Sequence, residues 1–231
     1  MKVSGLQKLT LLDYPGLIAC TIFTPGCNFC CPFCHNSALV VDSAKADIIP
    51  TEQILSFLKD RFGRLDGVCI TGGEPLLQPD LEDFIRRIKD IGYKVKLDTN
   101  GYLPDKLRAL VDRRLIDYVA MDVKNSLDKY GMTVGISSFN TQPIKESIAF
   151  LESDQVDYEF RTTAVKEYHT LDDFKKIGEL IKGAKQYYIQ DFVDSGSVIK
   201  SGLHGFEKPV LEEFLEEVKD KVVKAELRGV E

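Results

Sequence analysis

The chain has 231 residues, of which 44% are hydrophobic, and its 36 acidic and 30 basic residues leave a formal net charge of -6. This size and composition are typical of one large α/β domain with a sizeable core, and the acidic balance argues against a nucleic acid partner. Residues 1–8 lack an apolar signal sequence, and no run approaches the roughly 18 apolar residues of a membrane span. We therefore expect a cytoplasmic protein that binds neither nucleic acid nor a membrane.

Strands and helices alternate along most of the chain. The Pro15-Gly16 pair marks a turn before a first apolar strand over 17–23, which is followed by a cysteine-rich loop. The apolar patterns predict five further strands, over 67–71, 93–98, 118–122, 158–163 and 186–190. They also predict helices that begin near Thr51 and extend over 80–91, 104–113, 141–152, 171–182 and 210–223, with Thr51 and Thr170 as N-caps.

This alternation indicates an α/β fold. Strands joined by helices of this length form parallel βαβ units with right-handed crossovers. About six units fall short of the eight that close a full barrel, so we expect a partial, TIM-like (β/α)6 barrel of parallel strands. An open doubly wound sheet is the alternative. No linker or low-complexity segment interrupts the pattern, and residues 1–231 are predicted to form a single domain.

Four of the six cysteines lie within residues 27–34. A buried free cysteine behaves as a small apolar residue and needs no other cysteines beside it, so this group is interpreted as metal ligands. Cys30 and Cys31 are adjacent and cannot easily turn both thiolates onto one metal, which favours Cys27, Cys31 and Cys34. Three thiolates leave one position open on a zinc ion or on a cubane iron–sulfur cluster. A zinc site completed by His35 or Cys69 is the alternative.

Polar residues follow the predicted strands at their C-terminal ends, where parallel α/β folds bind ligands. Arg161 lies in an otherwise apolar strand and would need an anionic partner if buried. Gly72 and Gly73 would let the main chain approach a ligand closely, and Glu74 could accept a hydrogen bond from an ammonium group. Tight turns and a surface ion pair are the simpler interpretations. We expect these groups to converge beside the cysteine loop: Thr71-Gly72-Gly73-Glu74-Pro75, Asp98-Thr99-Asn100-Gly101, Asp122-Val123-Lys124, Arg161 and Gln190.

The C-x3-C-x2-C loop resembles the motif of the radical SAM enzymes, in which three cysteines hold a 4Fe-4S cluster and the fourth iron chelates S-adenosyl-L-methionine. Gly72-Gly73-Glu74-Pro75 resembles the motif of that family that receives the methionine amino group, and the family has a partial barrel fold. Further motifs resemble the glycyl-radical-enzyme activases, and especially the activating proteins of anaerobic ribonucleoside-triphosphate reductase. They are Asp13-Tyr14-Pro15-Gly16, Cys34-His35-Asn36, Asp98-Thr99-Asn100-Gly101, Met121-Asp122-Val123-Lys124 and Glu159-Phe160-Arg161-Thr162-Thr163.

The resemblance implies a role for each matching residue. Cys27, Cys31 and Cys34 would hold the cluster, and Cys30 is an extra cysteine that the motif does not require. Asp13 would lie near the mouth of the site and contact the glycine-bearing loop of the partner. The residues around S-adenosylmethionine would be Phe33 and His35 at the adenine, Gly72, Gly73 and Glu74 at the amino group, Asp98, Thr99, Asn100, Asp122, Lys124 and Arg161 at the ribose and carboxylate, and Gln190, which matches least clearly.

The same resemblance implies a reaction. An electron donor such as flavodoxin or ferredoxin reduces the cluster, S-adenosylmethionine is cleaved to methionine and a 5′-deoxyadenosyl radical, and that radical removes a hydrogen atom from a glycine of a partner enzyme. Two alternatives remain. One is a radical SAM enzyme that acts on a small molecule, as the 7-carboxy-7-deazaguanine synthases do. The other is a non-catalytic iron–sulfur electron carrier, which would leave the strand-end residues without a role.

Overall fold

The computed structural model describes residues 1–194 and 196–230. An eight-stranded sheet runs through the molecule with its strands in chain order. The strands are β1 Gly5–Thr10, β2 Ala19–Thr24, β3 Gly67–Gly72, β4 Lys94–Thr99, β5 Tyr118–Asp122, β6 Asp157–Ala164, β7 Tyr187–Asp191 and β8 Ala225–Arg228. All neighbouring pairs from β2 to β8 are parallel, and β1 pairs antiparallel with β2.

Helices connect the successive parallel strands. The helices are α1 Ser37–Val41, α2 Thr51–Arg61, α3 Leu81–Ile91, α4 Pro104–Asp112, α5 Tyr130–Val134, α6 Gln142–Glu152, α7 Leu171–Leu180 and α8 Lys208–Lys219, with a 3-10 turn at Pro75–Leu77. Six of them, α2, α3, α4, α6, α7 and α8, each join one parallel strand to the next. The predicted partial (β/α)6 barrel of parallel strands is therefore confirmed.

The two faces of the sheet differ in polarity because side chains alternate along each strand. Cys20, Ile22 and Val68 belong to a large apolar core that also contains buried residues of the surrounding helices. Thr21 and Lys96 lie on the opposite, inner face, and both are almost fully buried. The Lys96 ammonium group donates a hydrogen bond to the Asp98 carboxylate. The helices thus cover an apolar outer face, and polar groups line the inside of the partial barrel.

Two strands were not predicted. β1 carries three exposed residues in succession, and its pairing with β2 shifts register between Gln7 and Thr10, so it lacks the regular apolar alternation of a strand. β8 has only four residues, and its Arg228 binds both oxygens of the buried Glu159 carboxylate at 2.7 and 2.8 Å. This long-range ion pair fastens the last strand and leaves no local pattern in the sequence.

The two predicted helix caps had different outcomes. The helix expected to start after Thr51 includes that residue, and Pro50 occupies the cap position without a side-chain hydrogen bond. The Thr170 cap is confirmed, because Thr170 and Asp173 form a reciprocal capping box at the start of α7.

Within the ranges that the structure describes, none of the helices combines the length and apolar character needed to cross a lipid bilayer.

Candidate active site

A cavity of about 230 Å³ lies at the C-terminal ends of the parallel strands. Of the residues expected to converge there, Glu74, Pro75, Gly101 and Val123 do not line it, and neither does Asp13. The lining residues are Cys27, Phe29, Cys31, Phe33, Cys34, His35, Asn36, Val40, Thr71, Gly72, Gly73, Asp98, Thr99, Asn100, Asp122, Lys124, Arg161 and Gln190. Phe29, Asn36 and Val40 were not among the expected residues. Phe29 lies within the cysteine motif, and Asn36 belongs to the Cys34-His35-Asn36 motif, so the sequence offered a signal for these two residues but none for Val40.

The cysteine loop places three thiols on the cavity wall. Burial raises the pKa of Cys27 to about 11 and that of Cys31 to about 12, and the nearby Lys124 ammonium group only partly offsets the effect at Cys31. Burial also raises the pKa of Cys34. These groups would be thiols without a positively charged ligand. Cys30 is exposed and does not line the cavity, which agrees with its omission from the ligand set.

The donor set around these thiols fits an iron–sulfur cluster. The Phe29 amide donates to Cys27 Sγ at 3.4 Å, as amides near cluster thiolates do. Lys124 supplies a positive charge in the same cavity, which suits an anionic cluster. Nowhere in residues 1–194 and 196–230 do three His, Cys, Asp or Glu side chains meet at the spacing of a single metal ion. A cubane cluster does not require this spacing, because its thiolates bind different iron atoms.

Gly72 and Gly73 allow two strand ends to pack closely. Gly72 has φ of 120°, and a Cβ atom there would lie 2.3 Å from the Thr24 amide nitrogen. A Cβ atom on Gly73 would lie 2.0 Å from the Gly26 carbonyl oxygen. The glycines are thus required by the main chain that leads into the cysteine loop. The same turn exposes its backbone to the cavity, and Asn36 Nδ2 donates to the Gly72 carbonyl at 2.9 Å.

Glu74 lies behind the cavity wall and is fully buried. Its carboxylate accepts hydrogen bonds from the Leu76 amide at 3.0 Å, Thr99 Oγ1 at 2.9 Å and the Asn100 amide at 2.8 Å. Burial raises the pKa of Glu74 to about 7, although these three donors act against the shift. The Glu74 side chain therefore joins the turns that follow β3 and β4 and does not itself reach the cavity.

The floor of the cavity is a chain of ion pairs. Lys96 contacts Asp98 at 2.6 Å, Arg161 contacts Asp98 at 3.1 Å and Asp122 at 2.9 Å, and Lys124 contacts Asp122 at 2.9 Å. Burial alone would raise the pKa of Asp122, but Arg161 and then Lys124 outweigh it and hold this pKa at about 2. Three cations face two carboxylates, so the floor has one positive charge in excess and suits a ligand with a carboxylate.

Aromatic groups lie on the side of the cavity nearest the cysteines. His35 stacks on Phe192 with ring centroids 5.3 Å apart, and its Nε2 donates to the Val193 carbonyl at 2.8 Å. Phe33 is buried against Tyr168, with ring centroids 5.7 Å apart. Gln190 lies at the end of β7 and also lines the cavity.

Asp13 does not lie at the mouth of the cavity, contrary to expectation. It belongs to the connection between β1 and β2, which is at the N-terminal ends of the parallel strands. Its carboxylate accepts a hydrogen bond from Thr21 on the inner face of the sheet. The predicted strand order already indicated this placement, because Asp13 precedes the first predicted strand, over 17–23, whereas the cysteine loop follows that strand.

Comparisons with known proteins agree with this geometry. Residues 21–181 match the family model of the radical SAM superfamily. A Methanocaldococcus jannaschii protein that is named as a glycyl-radical enzyme activating enzyme is 35% identical over 194 residues, which are 82% of this chain and 79% of the relative. The chain belongs to the radical SAM superfamily, among the glycyl-radical-enzyme activating enzymes. This membership implies a 4Fe-4S cluster and S-adenosylmethionine as cofactors.

Other radical SAM proteins are similar over much of the chain. The 7-carboxy-7-deazaguanine synthase of Thermoplasma acidophilum is 29% identical over 157 residues, which are 67% of this chain and 70% of the relative. The crystal structure of Streptococcus suis SuiB bound to S-adenosylmethionine superposes with a TM-score of 0.67 and 13% identity, covering 90% of this chain and 52% of SuiB. At that identity the likeness concerns the fold alone.

Proposed function

We propose that this radical SAM activating enzyme generates a glycyl radical on an anaerobic ribonucleoside-triphosphate reductase, with S-adenosylmethionine as the source of the radical. Residues 1–231 would act as one domain, since one apolar core contains residues from Val3 to Val222. The observation that carries the proposal is the meeting of three thiols and a positively charged floor in one cavity. A flavodoxin or ferredoxin is the expected source of electrons.

Cys27, Cys31 and Cys34 would hold the cluster. When bound, the cluster would supply the electron for reductive cleavage of S-adenosylmethionine, which would be the source of the radical that takes a hydrogen atom from the partner's glycine. No side-chain acid or base is needed for a hydrogen-atom transfer. The protein's contribution is to bind and orient S-adenosylmethionine beside the three thiols.

The charged floor would orient the methionine part. Arg161 and Lys124 are held by Asp98 and Asp122, and the excess positive charge of the floor would bind the methionine carboxylate. The methionine amino group would meet the main chain of the 72–73 turn, because the Glu74 carboxylate is occupied by three donors behind the wall. Glu74 thus contributes by fixing the position of that turn.

The remaining lining residues would hold the nucleoside. Phe33 and His35 lie on the cysteine side of the cavity and would flank the adenine. His35 is held in place by its stacking on Phe192 and by its hydrogen bond to Val193. Thr99 and Asn100, at the end of β4, would lie near the ribose with Asp98.

The likeness to 7-carboxy-7-deazaguanine synthase supports a second candidate, in which the radical acts on a small molecule. Both candidates would use the same cluster and S-adenosylmethionine site. They differ in what increases turnover, because an activating enzyme needs its protein partner and the synthase needs its small substrate.

The test is S-adenosylmethionine cleavage by anaerobically reconstituted protein with dithionite. We expect 5′-deoxyadenosine to form, and to form faster with the reductase than with the substrate of the deazaguanine synthases. The exposed Cys30 provides a matched control, since Cys30→Ala should keep the cluster and the activity. An intact cluster without cleavage would overturn the enzyme assignment and favour the electron carrier. Stimulation by the small substrate alone would favour the second candidate.

A further inference from the structure

The side-chain amide of Asn100 points at a proposed cluster ligand. Asn100 directly follows β4, lines the cavity and is only 6% exposed. Its Nδ2 lies 3.8 Å from Cys27 Sγ and donates a hydrogen bond to that sulfur. Within residues 1–194 and 196–230, this is the one side-chain donor to any of the three proposed ligands. Cys27 is thus contacted by a residue 73 positions away in the chain.

The orientation of the Asn100 amide is fixed by its neighbours. The Tyr102 main-chain amide donates to Asn100 Oδ1 at 3.0 Å, so exchanging the oxygen and nitrogen of Asn100 would set two donors against each other. Asn100 Nδ2 donates to Asn28 Oδ1 at 2.8 Å. An amide nitrogen carries two hydrogen atoms, so the second one is available for the Cys27 sulfur.

The main chain of Asn100 is also held in place. Its amide donates to the Glu74 carboxylate at 2.8 Å, and the hydroxyl group of the preceding Thr99 donates to the same carboxylate at 2.9 Å. Glu74 is fully buried, so this anchor is shielded from water. The donor therefore already faces Cys27 in the protein without a cluster.

The loss of the Cys27 proton on metal binding suits this arrangement. In the structure the Cys27 thiol lies 3.9 Å from Asn28 Oδ1 and can donate to it. A cysteine that ligates a metal is deprotonated, so its sulfur only accepts hydrogen bonds. Two donors already face this sulfur, the Phe29 amide at 3.4 Å and Asn100 Nδ2. Asn28 Oδ1 keeps its bond from Asn100, so the change leaves no acceptor without a donor.

We infer that Asn100 Nδ2 donates a hydrogen bond to the Cys27 thiolate in the cluster-bound enzyme, so that Asn100 is a positioning residue that raises the reduction potential of the cluster. The inference rests on the proposed function, because it requires the cluster on these cysteines. A hydrogen bond to a ligand sulfur stabilises the reduced, more negative state more than the oxidised one. Asn100 therefore makes it easier for the electron donor to reduce the cluster.

Asn100→Leu tests the effect on the potential, because leucine has a similar shape and no donor. We expect reduction of the reconstituted cluster, without S-adenosylmethionine, to become about tenfold less favourable, which is about 59 mV for one electron. The matched control is Asn28→Leu, which breaks the other hydrogen bond of Asn100 Nδ2 and leaves the donor to Cys27 in place. The potential should not fall in that variant. An unchanged potential in Asn100→Leu, or an equal fall in Asn28→Leu, would overturn the inference.

A second measurement covers variants that fail to hold a cluster. The anaerobic crystal structure of the unmodified, reconstituted protein should show Asn100 Nδ2 within hydrogen-bonding distance of Cys27 Sγ. An Asn100 amide turned away from this sulfur would overturn the inference. Iron and sulfide analysis separates the two failures: unmodified protein that assembles no cluster contradicts the proposed function itself, whereas an assembled cluster with no contact between Asn100 and Cys27 contradicts only the role of Asn100.

Discussion

Replacing Arg161 by methionine removes the central cation of the cavity floor. The Arg161 side chain is 13% exposed and bridges Asp98 and Asp122 at 3.1 and 2.9 Å. Methionine fills a similar volume but leaves two poorly solvated carboxylates near each other. Removing one partner of a buried ion pair costs about 3–5 kcal/mol. We expect the lower end, about 3 kcal/mol, because Lys96 and Lys124 still contact one carboxylate each.

The loss should depend on pH. Burial opposes ionisation of Asp122, but Arg161 and Lys124 hold its pKa at about 2, below the ordinary value of 3.8. A depressed carboxyl pKa stabilises the folded state above the unfolded pKa, and this stability is lost as the pH falls from 3.8 towards 2. A shift of nearly two pKa units corresponds to about 2 kcal/mol. The difference in unfolding free energy between the wild type and Arg161→Met should therefore have its full value at neutral pH and be smaller below about pH 4.

Urea unfolding at neutral pH and again below about pH 4 measures this difference in the free energy of unfolding. The matched control is Lys176→Met, which removes an exposed cation whose ammonium group lies 2.9 Å from Asp128. Exposed pairs of this kind add little stability, so the control should unfold at the urea concentration of the wild type. Equal unfolding midpoints for Arg161→Met and Lys176→Met would refute the view that the floor is a buried charge network.

Three further changes test the walls of the cavity. Cys31→Ala should abolish the cluster whereas Cys30→Ala should spare it, as measured by iron and sulfide content, and equal loss would contradict the ligand assignment. Gly73→Ala places a Cβ atom 2.0 Å from the Gly26 carbonyl oxygen, so the thermal midpoint and the iron content should both fall; an unchanged midpoint would argue against the close packing. Burial raises the pKa of Glu74 from its ordinary value of 4.5 to about 7. The protonated carboxyl group therefore stabilises the folded state by about 3 kcal/mol below about pH 4.5, and this stabilisation is lost as the pH rises through about 7. Glu74→Gln should flatten the unfolding free energy over this range, and an unaltered slope would contradict the pKa.

The sequence predicted the parallel part of the fold well because that part depends on local patterns. The strand over 118–122 was predicted with its observed bounds, Tyr118–Asp122, because its apolar run is short and interrupted at both ends. β1 and β8 were missed for a physical reason. β1 is an edge strand with exposed residues, and β8 is held through the ion pair of Arg228 with Glu159, which are 69 positions apart.

The sequence was sufficient to predict most of the residues that converge at the candidate site. Strand ends of a parallel sheet meet at one edge, so Asp98, Asp122 and Arg161 could be placed together from sequence position alone. The direction of a side chain beyond the strand end could not be predicted. Glu74 turns behind the wall because three donors surround it there, and these donors come from two separate turns.

The most direct test of the proposed function is the electron paramagnetic resonance spectrum of an anaerobic ribonucleoside-triphosphate reductase after incubation with the reconstituted enzyme, a reductant and S-adenosylmethionine. The proposed function predicts a glycine-centred radical signal on the reductase that requires S-adenosylmethionine and is absent with the Cys31→Ala enzyme. Formation of 5′-deoxyadenosine without that signal on the reductase would contradict the proposed partner. If the signal is also absent from every other glycyl radical enzyme tested, glycyl-radical activation itself would be contradicted.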